Sequence, residues 1–193
     1  VLSAGSDKAM DAIRTALAMG ADRGILVTQD AGADEYARAV ALAAAIKDEN
    51  PDLVLAGHVA ADDGSSQVPT RIAEILGLPH INVITSLDIA GGKAVASSEA
   101  DGGTQVTEVS VPAVISSQVS WNEPRYPSMK GIMQAKKKPV ATVAAAAADN
   151  KVTIVEYSLP AAKAAGIKIE DEPEVMAAKL GDWMKNTVKV EVK

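Results

Sequence analysis

One stretch, residues 52–76, constrains the fold of this chain more than any other. It joins a short apolar run, a long polar loop and a helix-forming segment. The apolar run 53–56 is typical of a parallel strand that is buried on both faces. Gly57 permits a sharp turn where the strand ends. The loop has eleven small or polar residues, 57–67, which exceeds the usual length of about two to six residues for such a connection.

The position of this loop points to a phosphate ligand. In open α/β sheets, ligands bind beyond the carboxyl ends of the strands. The following helix offers free N–H groups and partial positive charge at its N-terminus, and Ser65, Ser66 and Gln67 add polar side chains there. The alternative is an ordinary connection in which Ser or Asp caps the helix. No GxGxxG or Walker pattern is present, so the spacing alone leaves both interpretations open.

Short apolar runs alternate with helix-forming segments through the first three quarters of the chain. This alternation predicts an α/β fold with a mostly parallel, doubly wound sheet of the Rossmann-like, nucleotide-binding type. The expected strands are 1–5, 25–28, 53–56, 81–84 and 111–116, and the expected helices are 6–18, 34–50 and 68–76. Ser6 or Asp7 is expected to cap the first helix. Gly-rich turns between 87 and 109 predict a small antiparallel insertion.

The end of the chain has a different composition. Five consecutive alanines, 144–148, form a low-complexity link. Residues 152–155 are expected to form a short strand, and 170–186 to contain a helix with an apolar stripe. We therefore predict an α/β nucleotide-binding domain at 1–140, followed by a linker and an extended C-terminal arm at 141–193. The apolar stripe needs a surface to pack on, which is either the parent domain or a partner chain.

Composition excludes several classes of function. The 193 residues carry a net charge of −6, contain no Phe and include only 3% aromatic residues. The chain therefore lacks both the basic face and the stacking platform of a nucleic-acid-binding protein. The absence of Cys excludes disulfides, iron–sulfur clusters and Cys-ligated zinc. No apolar run reaches membrane-spanning length and no signal peptide is recognisable, so we expect a cytoplasmic protein that does not insert into a membrane.

The ionisable residues form no recognisable catalytic set. His58 borders the polar loop, whereas His80 follows a Pro at a strand entrance and is expected to be structural. Asp62 and Asp63 stand side by side without the second acidic cluster that a magnesium site needs, so no metal is expected. Because no nucleophile and base occur at a suitable spacing, the residues themselves indicate a nucleotide-binding domain rather than an enzyme.

A run of three lysines, 136–138, has two interpretations. The first is a solvated helix end, where cations favour the negative terminus of the helix dipole. The second is an anchor for an acidic partner or a phosphate group.

Three stretches together resemble one family, the β subunits of electron transfer flavoproteins. They are residues 13–23, the Asp101-Gly102-Gly103 turn that leads to 112–114, and 122–126 with 136–139. The similarity extends through nearly the whole chain, to about Lys179. It implies that the opening strand of the family, and the helix region after it, lie outside this sequence.

The resemblance implies a heterodimer in which an α subunit holds the redox FAD. Electrons come from acyl-CoA or other flavin dehydrogenases and leave to a quinone-linked or other acceptor. The β subunit is then an electron-carrier subunit without catalysis of its own, in the bacterial cytoplasm or, in a eukaryote, in the mitochondrial matrix. It binds a structural AMP, and its C-terminal arm, from Lys151, wraps the α subunit.

The AMP segment of the family corresponds here to residues 57–68, with a further contact at Ala4. Backbone and hydroxyl donors at 63–67 are implied to hold the phosphate, and 57–60 to line the adenosine. The implied cofactor-binding residues are Ala4, Gly57, His58, Val59, Ala60, Ala61, Asp62, Asp63, Gly64, Ser65, Ser66, Gln67 and Val68.

The sequence also departs from the ordinary pattern of the family. Val68 stands where a hydroxyl is common, and a Gln-Val pair also occurs in the electron-bifurcating branch, in which a second FAD replaces AMP. Residues 122–126 match the ordinary branch, and Ser98 replaces a basic residue. A stand-alone nucleotide-binding regulatory domain of the universal-stress type is an alternative from a different class, and an ATP-using enzyme is a third.

Overall fold

The computed structural model describes residues 1–117, 121–163 and 165–189. The chain divides into two compact units, Val1–Thr153 and Ile154–Lys193. The boundary predicted after residue 140 falls at the first residue of a strand that pairs within the first unit.

Strands and helices alternate through most of the first unit. The strands are β1 (Leu2–Gly5), β2 (Gly24–Thr28), β3 (Leu53–Gly57), β4 (His80–Ile81), β5 (Ile84–Ala90), β6 (Lys93–Ala100), β7 (Gly103–Ser110), β8 (Ala113–Ser117) and β9 (Val140–Ala144). The helices are α1 (Ala9–Ala18), α2 (Glu35–Glu49), α3 (Val68–Leu76) and α4 (Met129–Ala135).

These strands form three sheets of three strands, with the orders β1-β2-β9, β3-β8-β4 and β5-β6-β7. The first two sheets are parallel and the third is antiparallel. The predicted α/β class, the parallel pairing and the antiparallel insertion are therefore confirmed. In the described ranges, β1 pairs only with β2, and β3 pairs only with β8.

The burial predicted for β3 is wrong. Leu55 is 56% exposed, and the other apolar side chains of β3 are only partly buried. The fully buried strand is β8, where Val114 and Ile115 lie in the core between β3 and β4. An apolar run alone does not distinguish a central strand from an edge strand, because pairing is decided by distant parts of the chain.

The two long helices differ in how they begin. The cap predicted for α1 is wrong, because Lys8 occupies the N-cap position and no side chain accepts a hydrogen bond there. In α2 a side chain does cap the helix: Asp34 Oδ1 accepts a hydrogen bond from the Ala37 amide at 2.8 Å. On α2, Ala43 is buried whereas the neighbouring Ala44 is exposed.

The strand predicted at 81–84 is broken in two by Val83, which has a φ of +52° that is strained for a β-branched residue. Next to it, Asn82 connects the sheets. Its Oδ1 accepts a hydrogen bond at 2.6 Å from the buried Ser116 hydroxyl, and its carbonyl accepts one at 2.9 Å from Ser98. Ser98 thus holds the antiparallel sheet to this turn.

Helices α1 and α4 are held together by two cationic side chains. Arg14 donates hydrogen bonds to the carbonyls of Ala135 and Lys138, at 2.6 and 3.0 Å. Lys138 Nζ donates in return to the carbonyls of Leu17 and Ala21, near the end of α1. For Lys138, therefore, the interpretation as a helix-end cation is supported.

The second unit contains one helix, α5 (Pro173–Trp183), which continues into a π-helical turn at Met184–Val188. The predicted helix is thus confirmed. The strand predicted at 152–155 does not form, since these residues have no regular structure. None of the described residues of α5 is buried.

Gly131 allows the close contact between α4 and α1, because a Cβ at this position would lie 2.6 Å from the carbonyl oxygen of Ala18. We expect Gly131→Ala to lower the free energy of unfolding by about 1–3 kcal/mol, the usual cost of overpacking. Urea unfolding followed by circular dichroism measures the difference.

Gly181→Ala is the matched control, because nothing lies within 4 Å of a Cβ at that position in α5. It should leave stability unchanged or raise it by up to about 1 kcal/mol. Equal effects of the two substitutions would contradict the packing argument.

Candidate functional site

A cavity of about 440 Å³ lies at the carboxyl end of β3 and the start of α3, with α2 along one side. Its volume is within the range of small-molecule sites. The predicted site residues that line it are Gly57, His58, Ala60, Asp63, Ser65, Ser66, Gln67 and Val68. The structure therefore brings most of the polar loop to one cavity.

Five predicted site residues are not among the residues that line this cavity: Ala4, Val59, Ala61, Asp62 and Gly64. Ala4 packs instead beside the buried cluster that contains Ile25 and Val27. Leu2 is the β1 residue that lines the cavity.

The loop is shaped by its own carboxylates. Asp62 accepts a hydrogen bond from the amide of Asp63, and Asp63 Oδ1 accepts one from the amide of Ser65, both at 2.9 Å. The Ser65 amide is the main cause that lowers the pKa of Asp63, and the nearby Arg38 contributes. Asp63 is therefore ionised at neutral pH. Gly64 and Ser66 both have positive φ, at +63° and +57°.

Among the residues that the structure describes, no side chain caps α3, so this connection differs from the ordinary capped alternative. Gln67 occupies the N-cap position without a capping hydrogen bond, because its amide oxygen accepts hydrogen bonds from Arg71 at 2.6 and 3.0 Å. Among the described residues, no acceptor lies within hydrogen-bond reach of the Ser66 and Gln67 amides. Free N–H groups at a helix N-terminus favour an anionic ligand.

Sequence reasoning missed one residue of the site, Arg38. It lies in α2, far from the loop in sequence, and its guanidinium is 3.4 Å from Asp63 Oδ2. It also donates a long hydrogen bond to the carbonyl of Ala33. Its position, four residues after the N-cap Asp34, places it at the end of α2 where the carboxyl ends of parallel strands gather.

Each of the two histidines has a buried ring nitrogen that makes no hydrogen bond to the described residues. His58 Nδ1 and His80 Nε2 are buried without a hydrogen-bond partner among the described residues. Burial is the main cause that lowers the pKa of His80, and His58 adds to the effect. A neutral His80 fits the structural role that the sequence indicates, whereas His58 lies on the wall of the cavity.

A segment that follows the alanines is attached to the start of α2. Asp34 Oδ2 accepts hydrogen bonds from the amides of Lys151 and Val152. The Lys151 ammonium lies 5.1 Å from the centre of the Tyr36 ring, and the Arg71 guanidinium lies 5.9 Å from it. Tyr36 therefore connects this segment to the helix that borders the cavity.

The alanines themselves, 144–148, line part of a second cavity of about 900 Å³ at the ends of β1, β2 and β9. Within the described residues, no group of three or more His, Asp or Glu side chains is placed to hold a metal ion. No helix of that part of the chain is long and apolar enough to cross a membrane.

Comparison with known proteins identifies the family. The family model described as "Electron transfer flavoprotein domain" matches residues 1–148. The chain belongs to the electron transfer flavoprotein family. Its function is therefore in electron transport, as part of a flavoprotein.

Three relatives are named as β subunits of electron transfer flavoproteins. Electron transfer flavoprotein subunit beta of Syntrophomonas wolfei is 84% identical over 193 residues, which are 100% of this chain and 77% of that protein. The subunit beta of Bacillus subtilis is 37% identical over 199 residues, covering 98% of this chain and 77% of the relative. The subunit beta of Mus musculus is 33% identical over 186 residues, covering 91% and 72%. The resemblance to electron transfer flavoprotein β subunits is thus confirmed.

The residues that carry the resemblance to electron transfer flavoproteins lie away from the cavity. Arg14 of the first stretch and Lys138 of the third hold α1 and α4 together. The guanidinium of Arg125 lies against Gly20, about 3.4 Å from the position of a Cβ there. These family motifs therefore stabilise the fold, while the loop and α2 supply the cavity.

Asp34 gives a pH-dependent prediction. The Ala37 amide is the main cause that lowers the pKa of this carboxylate, and the Lys151 and Val152 amides add to it. A lowered pKa stabilises the fold above the unfolded value of about 3.9, and this contribution is lost as the pH falls through the folded value. We expect Asp34→Ala to cost about 1 kcal/mol of unfolding free energy at pH 7, and less at pH 3.

Urea unfolding of Asp34→Ala and of the unaltered chain at both pH values measures this difference. Asp48→Ala is the control, because Asp48 is exposed in the last turn of the same helix. It should show no loss at either pH. A loss for Asp34→Ala that is equal at pH 3 and pH 7 would contradict the role of the charge.

Proposed function

We propose that this chain is the β subunit of a heterodimeric electron transfer flavoprotein, that it binds a structural AMP, and that the α subunit holds most of the redox FAD. The flavin supplies the redox chemistry, accepting electrons from acyl-CoA or other flavin dehydrogenases and passing them to a quinone-linked or other acceptor. The chain acts as an electron-carrier subunit rather than an enzyme. The bacterial relative at 84% identity supports a bacterial cytoplasmic setting.

The observation that carries the AMP proposal concerns Ser66 and Gln67, which line the 440 Å³ cavity and whose amides donate no hydrogen bond to the described residues. These amides and the hydroxyls of Ser65 and Ser66 fit a phosphate group. Val68 offers no hydroxyl, so the donors for the phosphate are the two amides and the two serine hydroxyls. Apolar side chains suited to an adenine ring line the remainder of the cavity: Leu42, Ile46, Val54, Leu55 and Ile72.

A second FAD in place of AMP is the alternative, and the Gln67-Val68 pair is the feature that favours it. FAD carries two phosphates and a three-ring isoalloxazine, so it is a much larger ligand than AMP. The volume of about 440 Å³ is better suited to the mononucleotide. We therefore retain AMP as the proposed ligand.

The second unit supports a partner subunit. Its apolar side chains Val155 and Leu159 are 96% and 95% exposed, and Tyr157 and Ile167 are also mostly exposed. An extended segment with this many exposed apolar side chains is typical of an interaction surface. The relatives are named subunit beta, which supports an α subunit as the partner.

The ligand content of the purified complex tests the proposal. Acid denaturation followed by mass spectrometry should release one FAD and one AMP per heterodimer, because each subunit holds one of the two sites. Two flavins and no AMP would support the bifurcating alternative. A chain that copurifies with no flavoprotein partner and forms a homodimer would support a universal-stress type of regulatory domain, and nucleotide turnover by the chain would support an ATP-using enzyme.

The proposed binding of the C-terminal arm to the α subunit is tested separately. Leu180 and Trp183 are half-exposed on α5, and we expect Leu180→Asp with Trp183→Asp to lower the yield of copurified α subunit at least tenfold. Burying two charges at a former apolar contact is the physical reason. Lys185→Asp, at an exposed position of the adjoining π-helical turn, is the control and should copurify normally. An unchanged yield for the double variant would show that this face does not bind the α subunit.

A further inference from the structure

The proposed phosphate site has an electrostatic difficulty. A nucleoside monophosphate carries close to two negative charges at neutral pH, and the chain has a net charge of −6. The loop itself contributes carboxylates, Asp62 and Asp63, and no Lys or Arg. In the loop, only neutral hydrogen-bond donors are then available to offset the repulsion between the phosphate and the ionised Asp63, which lines the same cavity. A positive side chain is needed.

Arg38 is the one side chain with a permanent positive charge among the residues that line the cavity. It comes from α2, and its guanidinium lies 3.4 Å from Asp63 Oδ2 of the loop. Arg71 of α3 is engaged elsewhere, because Gln67 Oε1 accepts hydrogen bonds from its Nε and one terminal nitrogen. Arg38 is therefore the cation that a ligand in this cavity meets.

The guanidinium of Arg38 is only loosely held. Its two hydrogen bonds, to Asp63 Oδ2 and to the Ala33 carbonyl, are both 3.4 Å long, near the upper limit for such a bond. A guanidinium has five N–H donors, so several remain for a ligand. The Ser65 amide holds Asp63 Oδ1 independently of Arg38, so the loop keeps that hydrogen bond if Arg38 turns toward a ligand.

We propose that Arg38 binds the phosphate of the nucleotide and makes the site select a nucleoside monophosphate over the nucleoside. This inference rests on the proposed function, since it assumes an adenine nucleotide in the cavity. Arg38 is then a specificity-determining residue outside the loop. Its guanidinium contributes charge-assisted hydrogen bonds to the phosphate oxygens, and the loop and apolar wall contribute the contacts to the adenosine.

Isothermal titration of the complete chain, freed of nucleotide, with AMP and separately with adenosine tests the inference. We expect the unaltered chain to bind AMP more tightly than adenosine. Arg38→Gln should weaken AMP binding by about 10- to 100-fold, the range for a lost charge-assisted hydrogen bond. Its affinity for adenosine should stay within twofold. Arg38→Lys should recover part of the preference for AMP, because it keeps the charge.

The matched control is Arg23→Gln, which removes the same charge from an arginine paired with Glu49 at the other end of α2. It should alter neither affinity. Thermal unfolding of each variant shows whether it is folded. If Arg38→Gln does not fold, the AMP preference of Arg38→Lys is compared with that of the unaltered chain instead.

The outcomes separate this inference from the proposed function. A chain that binds neither AMP nor adenosine would overturn the adenine-nucleotide site itself. A preference for AMP that survives in Arg38→Gln would overturn only the role of Arg38. Equal weakening of both ligands by Arg38→Gln, repeated by Asp63→Asn, would mean that Arg38 merely positions the loop through Asp63, which also overturns the inference.

Discussion

The carboxylate of Asp34 is the constraint on which much of this structure depends. One oxygen begins α2 by accepting the Ala37 amide, and the other holds the segment that starts at Lys151. The same end of the helix presents Tyr36 to that segment and Arg38 to the loop. A single ionised side chain thus fixes where α2 begins. It also fixes the distance between α2, which borders the cavity, and the segment that starts at Lys151.

The fold was predictable because it follows from local patterns. The alternation of apolar runs and helices predicts the parallel sheets, and the Gly-rich turns predict the antiparallel one. Burial was less predictable. The run 53–56 has the composition of a central strand, yet Leu55 is mostly exposed, because β8 took the central position through pairing that no local window contains. The cap predicted for α1 was also wrong. Ser6 and Asp7 lie before the N-cap residue Lys8, so neither side chain caps the helix.

Of the candidate site, only the loop could be predicted from the sequence. A long polar loop after a parallel strand must lie at the carboxyl edge, so seven of its eleven residues line one cavity. Arg38 was not predictable from spacing, because the side chain reaches the cavity from another helix. The resemblance to the family did not help here either. It rests on residues such as Arg14 and Lys138, which hold α1 to α4 and do not line the cavity.

The unpaired sides of β1 and β3 have a consequence for how this chain behaves in concentrated solution. In the part of the chain that the structure describes, each strand has a neighbour on one side only, and Leu2 and Leu55 line the same two cavities between them. A free strand edge has a row of peptide groups that can pair with any extended polypeptide. Within the described residues, the unpaired sides of β1 and β3 are therefore the places where another extended segment can add to these sheets through backbone hydrogen bonds.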